Sequence, residues 1–121
     1  AQVGLMYPSD YGYATVGGST TSKENCRAKE LFNWDSSSYS DCKNNDWVFK
    51  SATFIGTGEW LISPRASSSR YAYSLYSAGF VDANNYVNNN QFAVRPTFYL
   101  DSSILKIVGG TGTSDNAYRI G

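Results

Sequence analysis

Short apolar runs separated by turn-forming residues dominate the hydrophobic pattern of the chain. Such a pattern predicts many short strands rather than long helices. Within 71–76, larger side chains mostly alternate with small ones, as expected for a strand that buries one face. Residues 88–90 are three asparagines, which suit a tight turn because asparagine tolerates left-handed backbone conformations. The predicted extended segments are 3–7, 11–16, 60–62, 71–76, 79–81, 86–87, 92–94, 98–100, 104–108 and 117–120.

One segment has helical rather than extended periodicity. Thr21 precedes Glu24 by three residues, which is the spacing of a capping box, and the apolar residues that follow share one helical face. This pattern predicts a helix over 23–32. The segment 33–45 is rich in serine and asparagine and is predicted to be a polar loop, after which 47–49 returns to the core.

Five residues are expected to belong to the structural core. Arg95 lies between an apolar residue and a proline, so we interpret it as a buried arginine paired with a carboxylate or with backbone carbonyls. A ligand contact is the less favoured interpretation of this arginine. The predicted core residues are Trp47, Trp60, Pro64, Arg95 and Pro96.

Composition then excludes several classes of function. A chain of 121 residues has room for one domain, residues 1–121, and can bury a sizeable core. Ten basic residues balance ten acidic ones without a run of either sign, which disfavours nucleic-acid binding and attraction to anionic membranes. Histidine is absent, which removes Ser-His and Cys-His pairs and histidine-based zinc sites. We therefore predict no catalytic residues, no metal and no cofactor.

The two cysteines bracket a polar segment of 15 residues. A disulfide between Cys26 and Cys42 would stabilise the fold by about 3 kcal/mol in the chain-entropy model and would indicate an oxidising compartment. Two reduced, buried thiols are the alternative. A redox or metal role is the least favoured interpretation, since no CxxC motif accompanies the pair.

Several carboxylates could have a chemical role if the fold brought them together. Asp35, Asp41 and Asp46 lie close enough in sequence to surround a hard cation such as Ca²⁺, although their spacing matches no EF-hand loop. A solvated polar loop is the favoured alternative. Glu59 and Asp82 are candidates for a glycosidase carboxylate pair, but no feature of the sequence places them near each other.

Tyrosines and asparagines are concentrated between residues 71 and 90. Flat amphipathic rings and adaptable amides are the composition that contact surfaces favour, so this region is a candidate surface for recognition or self-assembly. The favoured alternative is that these tyrosines fill the core with their hydroxyls at its rim. The candidate surface comprises Tyr71, Tyr73, Tyr76, Asn84, Asn85, Tyr86, Asn88, Asn89 and Asn90.

Several motifs across nearly the whole chain resemble a family of bacterial cell-surface domains. They occur at 3–14, 45–49, 60–64, 79–81, 94–100 and 107–120. That family is similar to the C-type-lectin-like fold shared with formylglycine-generating enzymes, and its members often follow a prepilin-type segment. The Glu-Pro-Asn and Trp-Asn-Asp elements of calcium-dependent lectins are missing, and both cysteines lie too early for the oxidase cleft. The resemblance therefore implies a fold and a cell-surface setting, and it carries over no catalytic residue.

Together these observations predict a single α+β domain with a C-type-lectin-like fold, mostly short antiparallel strands and one or two short helices. The predicted function is that of a non-enzymatic extracellular domain of a bacterial surface or type IV pilin-like filament protein, serving assembly or adhesion. The alternative is a lectin-like module that binds a glycan or a peptide. Expected partners are further copies in a filament or a surface ligand, with membrane attachment only through a segment outside this sequence.

Overall fold

The structure is a computed structural model that describes residues 3–88, 90–98, 101, 103, 106–112 and 115–121. Its elements mix short helices with small antiparallel sheets, which confirms the α+β prediction. The helices are α1 (Pro8–Ala14), α2 (Lys23–Ala28), α3 (Ser40–Asn44) and α4 (Trp47–Lys50), with 3₁₀ turns at Leu31–Asn33 and Ser37–Tyr39. The strands are β1 (Val3–Leu5), β2 (Gly58–Pro64), β3 (Tyr71–Tyr76), β4 (Val81–Tyr86), β5 (Pro96–Phe98), β6 (Ile107–Gly109) and β7 (Arg119–Ile120).

Strand pairing divides these strands into three small sheets. β2, β3 and β4 form an antiparallel meander in that order, and its register shifts between Ala72 and Ser74 on β3. β1 pairs with β5 although they are far apart in sequence, with Val3 opposite Phe98. β6 and β7 form a separate antiparallel hairpin. The meander contacts helix α1 and strand β1 contacts β2, whereas no residue of β6 or β7 belongs to the buried core.

The core lies between the helices and the meander. Tyr11 and Trp34 are both fully buried, and their ring centroids are 4.9 Å apart. The predicted disulfide between Cys26 and Cys42 is present beside them, with a Cα–Cα distance of 5.5 Å and both residues fully buried. Trp34 therefore anchors the core from within a segment whose composition predicts a polar loop.

The predicted extended segment 11–16 is wrong, because most of it lies in helix α1. Pro8 occupies the first turn, where the missing N–H costs nothing and the fixed φ favours a helix. Asp10 Oδ2 accepts a hydrogen bond of 2.8 Å from the N–H of Tyr7, the residue that precedes the helix. A proline and a capping carboxylate thus outweigh the β-propensity of the tyrosines.

The predicted helix over 23–32 is shorter than expected. Helix α2 ends at Ala28, and its capping residue is Ser22, whose Oγ accepts a hydrogen bond of 3.2 Å from the N–H of Asn25. Thr21, the expected cap, instead donates its hydroxyl to the carbonyl oxygen of Ser38 at 2.9 Å. The chain then turns through a 3₁₀ segment, which brings Trp34 into the core.

The other strand predictions have mixed outcomes. Segments 60–62 and 71–76 fall within β2 and β3, as expected. Of segment 92–94, Ala93 alone forms a β-bridge, which is parallel and joins it to Glu59. The predicted segments 98–100 and 104–108 and the asparagine turn fall partly outside the described residues, which do not include 89, 99, 100, 104 and 105.

Three of the five residues expected in the core are exposed. Trp47 is 58% exposed because it begins helix α4, whose buried face is formed by Val48. Pro64 and Pro96 are exposed at the end of β2 and the start of β5, positions where a strand tolerates a missing N–H. Trp60 is half-buried, with its ring centroid 4.9 Å from that of Phe92.

Arg95, the fifth of these residues, is half-buried rather than buried as expected, since 24% of its side chain is exposed. Within the described part of the chain, no helix has the length and apolar character that a membrane span requires.

Candidate binding site

A bidentate ion pair joins the meander to the segment that precedes β5. Glu59 on β2 is 1% exposed, and its Oε1 and Oε2 each lie 2.9 Å from a guanidinium nitrogen of Arg95, Nε and Nη2 respectively. Arg95 Nη2 also donates to the carbonyl oxygen of Val48 at 3.1 Å. The arginine therefore has both kinds of partner that the sequence analysis expected, a carboxylate and a backbone carbonyl. Because the pair is short and bidentate, it holds the guanidinium in one orientation.

The same arginine holds helix α4 in place. Its Nη1 donates to Ser51 Oγ at 3.2 Å, so that its contacts reach both the middle and the end of the helix. At the other end, Asp46 Oδ1 accepts a hydrogen bond of 2.9 Å from the N–H of Phe49, as an N-cap does. Trp47 is therefore exposed on a short helix that is fixed at both ends.

Asp46 is a fully buried carboxylate, and no basic side chain of the described residues forms an ion pair with it. Its Oδ2 has no hydrogen-bond partner among the described residues. Burial raises the pKa of Asp46 to about 7, although the backbone N–H groups of Phe49 and Val48 and the charge of Arg95 act in the opposite direction. Burial also raises the pKa of Tyr11, with a smaller contribution from the negative charge of Asp46.

A recess of about 390 Å³ opens beside Trp47, and we call it the Trp47 groove. The buried side chains of Met6, Ala14 and Val48 line it, which makes its walls largely apolar. The partly or fully exposed residues that line it are Asp10, Tyr13, Trp47, Arg95, Thr97 and Phe98. A second recess of about 410 Å³ shares Trp47 and Arg95 with the first. The indole therefore stands between two recesses.

The side chains that line the Trp47 groove are weakly acidic in sum, although the guanidinium of Arg27, outside the lining, lies 4.7 Å from the ring centroid of Tyr13. Glu59 neutralises Arg95, whose Nη1 and Nη2 donate hydrogen bonds to protein atoms and whose Nε lies 2.9 Å from Glu59 Oε1. Asp10 is the other ionisable acid or base among the lining side chains, apart from the phenol of Tyr13. Its Oδ2 accepts the Tyr7 N–H, so the groove has one carboxylate without a paired cation among its lining residues. Such a groove favours apolar groups accompanied by positive charge.

The tyrosine and asparagine surface expected from the sequence does not form one continuous face. One part of it lies around Tyr71, whose ring centroid is 4.5 Å from that of Tyr86 on the neighbouring strand. The guanidinium of Arg65 lies 5.3 Å from the centroid of Tyr71 and donates a hydrogen bond to Asn84. These side chains therefore contact one another at the edge of the meander, through ring packing, a cation–π contact and a hydrogen bond.

The remaining residues of that surface are mainly structural. Tyr76 donates its hydroxyl to Asn85 Oδ1 at 2.6 Å, and Asn85 Nδ2 donates to Ser74 Oγ at 2.6 Å. Asn85 is buried, and Tyr73 packs against the core. Asn88 is exposed, Asn90 is half-buried, and residue 89 lies outside the described residues. The register shift in β3 separates these side chains from Tyr71, an irregularity that strict alternation along the strand does not predict.

The carboxylates proposed as cation ligands have separate roles. Asp41 Oδ2 accepts hydrogen bonds from the N–H and the hydroxyl of Thr20 and from the N–H of Thr21, which lowers the pKa of Asp41. Asp35 is exposed and Asp46 is buried. Among the described residues, no group of three histidine, cysteine, aspartate or glutamate side chains could hold a metal ion.

The proposed glycosidase pair does not form either. Glu59 is engaged by Arg95, whereas Asp82 Oδ1 accepts hydrogen bonds from the N–H groups of Ala83 and Asn84. Both carboxylates therefore serve the fold of the meander.

Sequence reasoning missed the residues that build the Trp47 groove. Tyr13 and Phe98 are separated by most of the chain and meet because β1 pairs with β5. The one local signal was Asp46, since an aspartate immediately before an apolar segment is a helix N-cap candidate. Helix α4 has only four residues and buries Val48, so Trp47 at its first position is left exposed.

No family model, curated protein or solved structure matches the chain.

Proposed function

We propose that the chain is a non-enzymatic extracellular domain of a bacterial surface or type IV pilin-like filament protein, which acts by contact in assembly or adhesion. The Trp47 groove is its contact surface. The C-type-lectin-like arrangement is part of the proposal and is supported by the resemblance of the motifs and by the α+β architecture. The disulfide supports an oxidising compartment, because such bonds persist mainly in secreted and surface proteins.

The observation that carries the proposal is the exposure of Trp47 on a rigid support. A tryptophan that is 58% exposed presents a large apolar area to water, and such residues are enriched at the centres of interfaces. Asp46 and Arg95 fix the helix that carries it. Because little conformational entropy remains to be lost on binding, the indole is prepared for contact.

A second candidate function is the binding of a glycan or a peptide by the same groove. It is favoured by the aromatic rings of Trp47 and Tyr13, which lie in one recess with the carboxylate of Asp10. An aromatic platform beside a hydrogen-bond acceptor suits a sugar ring or a peptide side chain. In this case the domain would stay monomeric and bind its ligand alone.

The test replaces Trp47 with alanine and compares it with the matched variant Phe32→Ala. Phe32 is also an exposed aromatic residue, but it packs edge-on against Phe80 and does not line the groove. We expect Trp47→Ala to reduce self-association or adhesion to bacterial surfaces at least about tenfold, as for the loss of a central interface residue, and Phe32→Ala to leave both unchanged.

Sedimentation velocity over a range of concentrations measures self-association, and binding to glycan and peptide arrays measures the alternative. Concentration-dependent association that Trp47→Ala abolishes would support assembly. A monomer that binds an array ligand through Trp47 would replace assembly with the binding module. Equal behaviour of Trp47→Ala and Phe32→Ala in every assay would refute the contact role of the groove.

A further inference from the structure

The C-terminal hairpin, formed by β6, β7 and the described residues of their connecting turn, exposes four large apolar side chains. Ile107 and Ile120 lie opposite each other across the two strands. They and their apolar neighbours Val108 and Tyr118 are between 47% and 64% exposed. Because successive side chains of a strand point to opposite faces, Ile107 and Ile120 form an exposed apolar pair on one face of the hairpin, whereas Val108 lies on the other. Exposed apolar side chains that lie side by side are candidates for an interaction site.

The hairpin has little support from the rest of the described chain. Its principal contacts are those between β6 and β7 themselves. An isolated two-stranded hairpin is at best marginally stable in water, because it lacks a third strand or a helix to cover its apolar side chains. Docking onto another surface would therefore stabilise the hairpin as well as the complex.

The turn end of the hairpin is shaped by close packing on glycines. Gly110 has a φ of +87° and Gly112 a φ of +76°, conformations that side chains other than glycine rarely adopt. A Cβ at Gly112 would collide with the ring of Tyr118, and a Cβ at Gly109 would collide with the guanidinium of Arg119. The glycines thus allow these two side chains to lie flat across the hairpin backbone.

The charges of the hairpin and of the Trp47 groove are complementary. The strands and their flanks carry Lys106 and Arg119, against Asp115 near the turn, so the described side chains of the hairpin carry more positive than negative charge. The groove contains Asp10, while Arg95 is neutralised by Glu59. Opposite charges across apolar surfaces favour encounter in a defined orientation. Both surfaces belong to the same chain, so every copy carries both halves of one interface.

We propose that the C-terminal hairpin of one copy docks into the Trp47 groove of a second copy. The inference rests on the proposed function and specifies the assembly partner, which is another molecule of this chain. Ile107 and Ile120 would contact the indole and the apolar groove walls, while Lys106 or Arg119 would approach Asp10. The two partners use different surfaces, so the contact is head-to-tail. Such a contact repeats without limit unless its rotation closes a ring.

The experiment is a complementation between two variants that each lack one half of the interface. Trp47→Ala impairs the groove and leaves the hairpin intact, whereas Ile107→Asp impairs the hairpin and leaves the groove intact. Circular dichroism at low concentration confirms that each variant keeps the folded domain. We expect wild-type protein to associate progressively with concentration and each variant alone to remain monomeric. An equimolar mixture of the two variants should form a dimer and no larger species.

The mixture separates a head-to-tail contact from other modes of association. A symmetric contact made by either surface alone would leave one of the variants able to associate with itself. Phe32→Ala is the matched control and should associate as wild type does. Reversal of both basic charges, by Lys106→Glu with Arg119→Glu, should weaken association at least about tenfold, because it places like charge opposite Asp10.

The possible results distinguish this inference from the proposed function on which it rests. Wild-type association that persists in Ile107→Asp would overturn docking by the hairpin and leave assembly through the groove standing. A wild-type protein that stays monomeric to about 1 mM would overturn the inference, while array binding that depends on Trp47 would preserve a contact function. Failure of the variant mixture to form a dimer, with wild-type association intact, would also overturn it.

Discussion

The disulfide-linked core and the C-terminal hairpin use apolar residues in opposite ways. Tyr11 and Trp34 are fully buried beside the bond between Cys26 and Cys42, so their contacts exist within one molecule. The side chain of Ile107, in contrast, is mostly exposed. Apolar composition alone does not separate these regions. The difference lies in long-range contacts: the core is closed by residues from distant segments, whereas the hairpin is closed mainly by its own two strands.

The largest expected effect comes from removing the aromatic anchor of the core. Trp34→Ala should lower the free energy of unfolding by about 3–5 kcal/mol, because it leaves a cavity against the ring of Tyr11. Urea denaturation followed by fluorescence and by circular dichroism measures the change. Trp34→Phe should cost much less, since Trp34 Nε1 has no partner among the described residues. A loss below about 1 kcal/mol in Trp34→Ala would show that the core collapses onto the vacated site.

The next effect concerns the pH dependence that the core owes to Asp46. Its pKa is raised from 3.8 to about 7 in the folded state, so the folded protein binds a proton that the unfolded chain releases near pH 4. The contribution to stability is therefore fully present below pH 4 and is lost as the pH rises to about 7. Since each pH unit is worth about 1.4 kcal/mol, the loss approaches about 4 kcal/mol.

Asp46→Asn tests this dependence, because an amide can still accept the hydrogen bond from Phe49 but does not ionise. Denaturation at intervals between pH 4 and pH 8 should show a decline in wild type and a flatter profile in the variant. The matched control is Asp35→Asn, which changes an exposed aspartate. Equal slopes for wild type and Asp46→Asn would show that another group causes the decline.

A slightly smaller effect is expected when the covalent link of the core is broken. Replacement of both Cys26 and Cys42 by alanine should lower the free energy of unfolding by about 3 kcal/mol, since the unfolded chain regains the freedom of the closed loop. Thermal denaturation with and without reductant gives the same comparison in wild-type protein. An unchanged melting temperature in reductant, with two titratable thiols, would contradict the stabilising role of the bond.

The smallest effect is expected in the hairpin. Tyr118→Ala should change the stability of the monomer by less than about 0.5 kcal/mol, because the side chain is exposed and packs on the turn rather than on the core. Denaturation at high dilution, where association is negligible, makes the measurement. A loss comparable with that of Trp34→Ala would mean that the hairpin is part of the cooperative fold.

Local chemistry explains which parts of the fold were predictable from the sequence. Segment 71–76 alternates regularly and forms strand β3, and the two cysteines form the expected bond. The sequence does not predict helix α1, because the tyrosines of this segment favour a strand. Pro8 and Asp10 together start the helix and outweigh that preference. Local signals conflict there, and the cap decides the outcome.

The candidate site was less predictable because it depends on contacts between distant segments. Trp34 and Trp47 both lie in or beside polar stretches, yet one is fully buried and the other is exposed. Hydrophobicity cannot distinguish them. What distinguishes them is the direction of the short helical turns that carry them, and that direction is set by Arg95 and by the packing of Tyr11.

The pairing of β1 with β5 has a consequence for how the protein reaches its native state. Val3 lies opposite Phe98, so β1 cannot pair until the chain has been synthesised through β5. The meander and the Cys26–Cys42 loop are closed by residues much nearer in sequence and can form earlier. Since β1 and β5 bring Met6 and Phe98 to the Trp47 groove, the groove is completed only in this late step. A nascent chain thus lacks the Trp47 groove until the body of the domain has folded, so the contact that we propose for this groove cannot form prematurely.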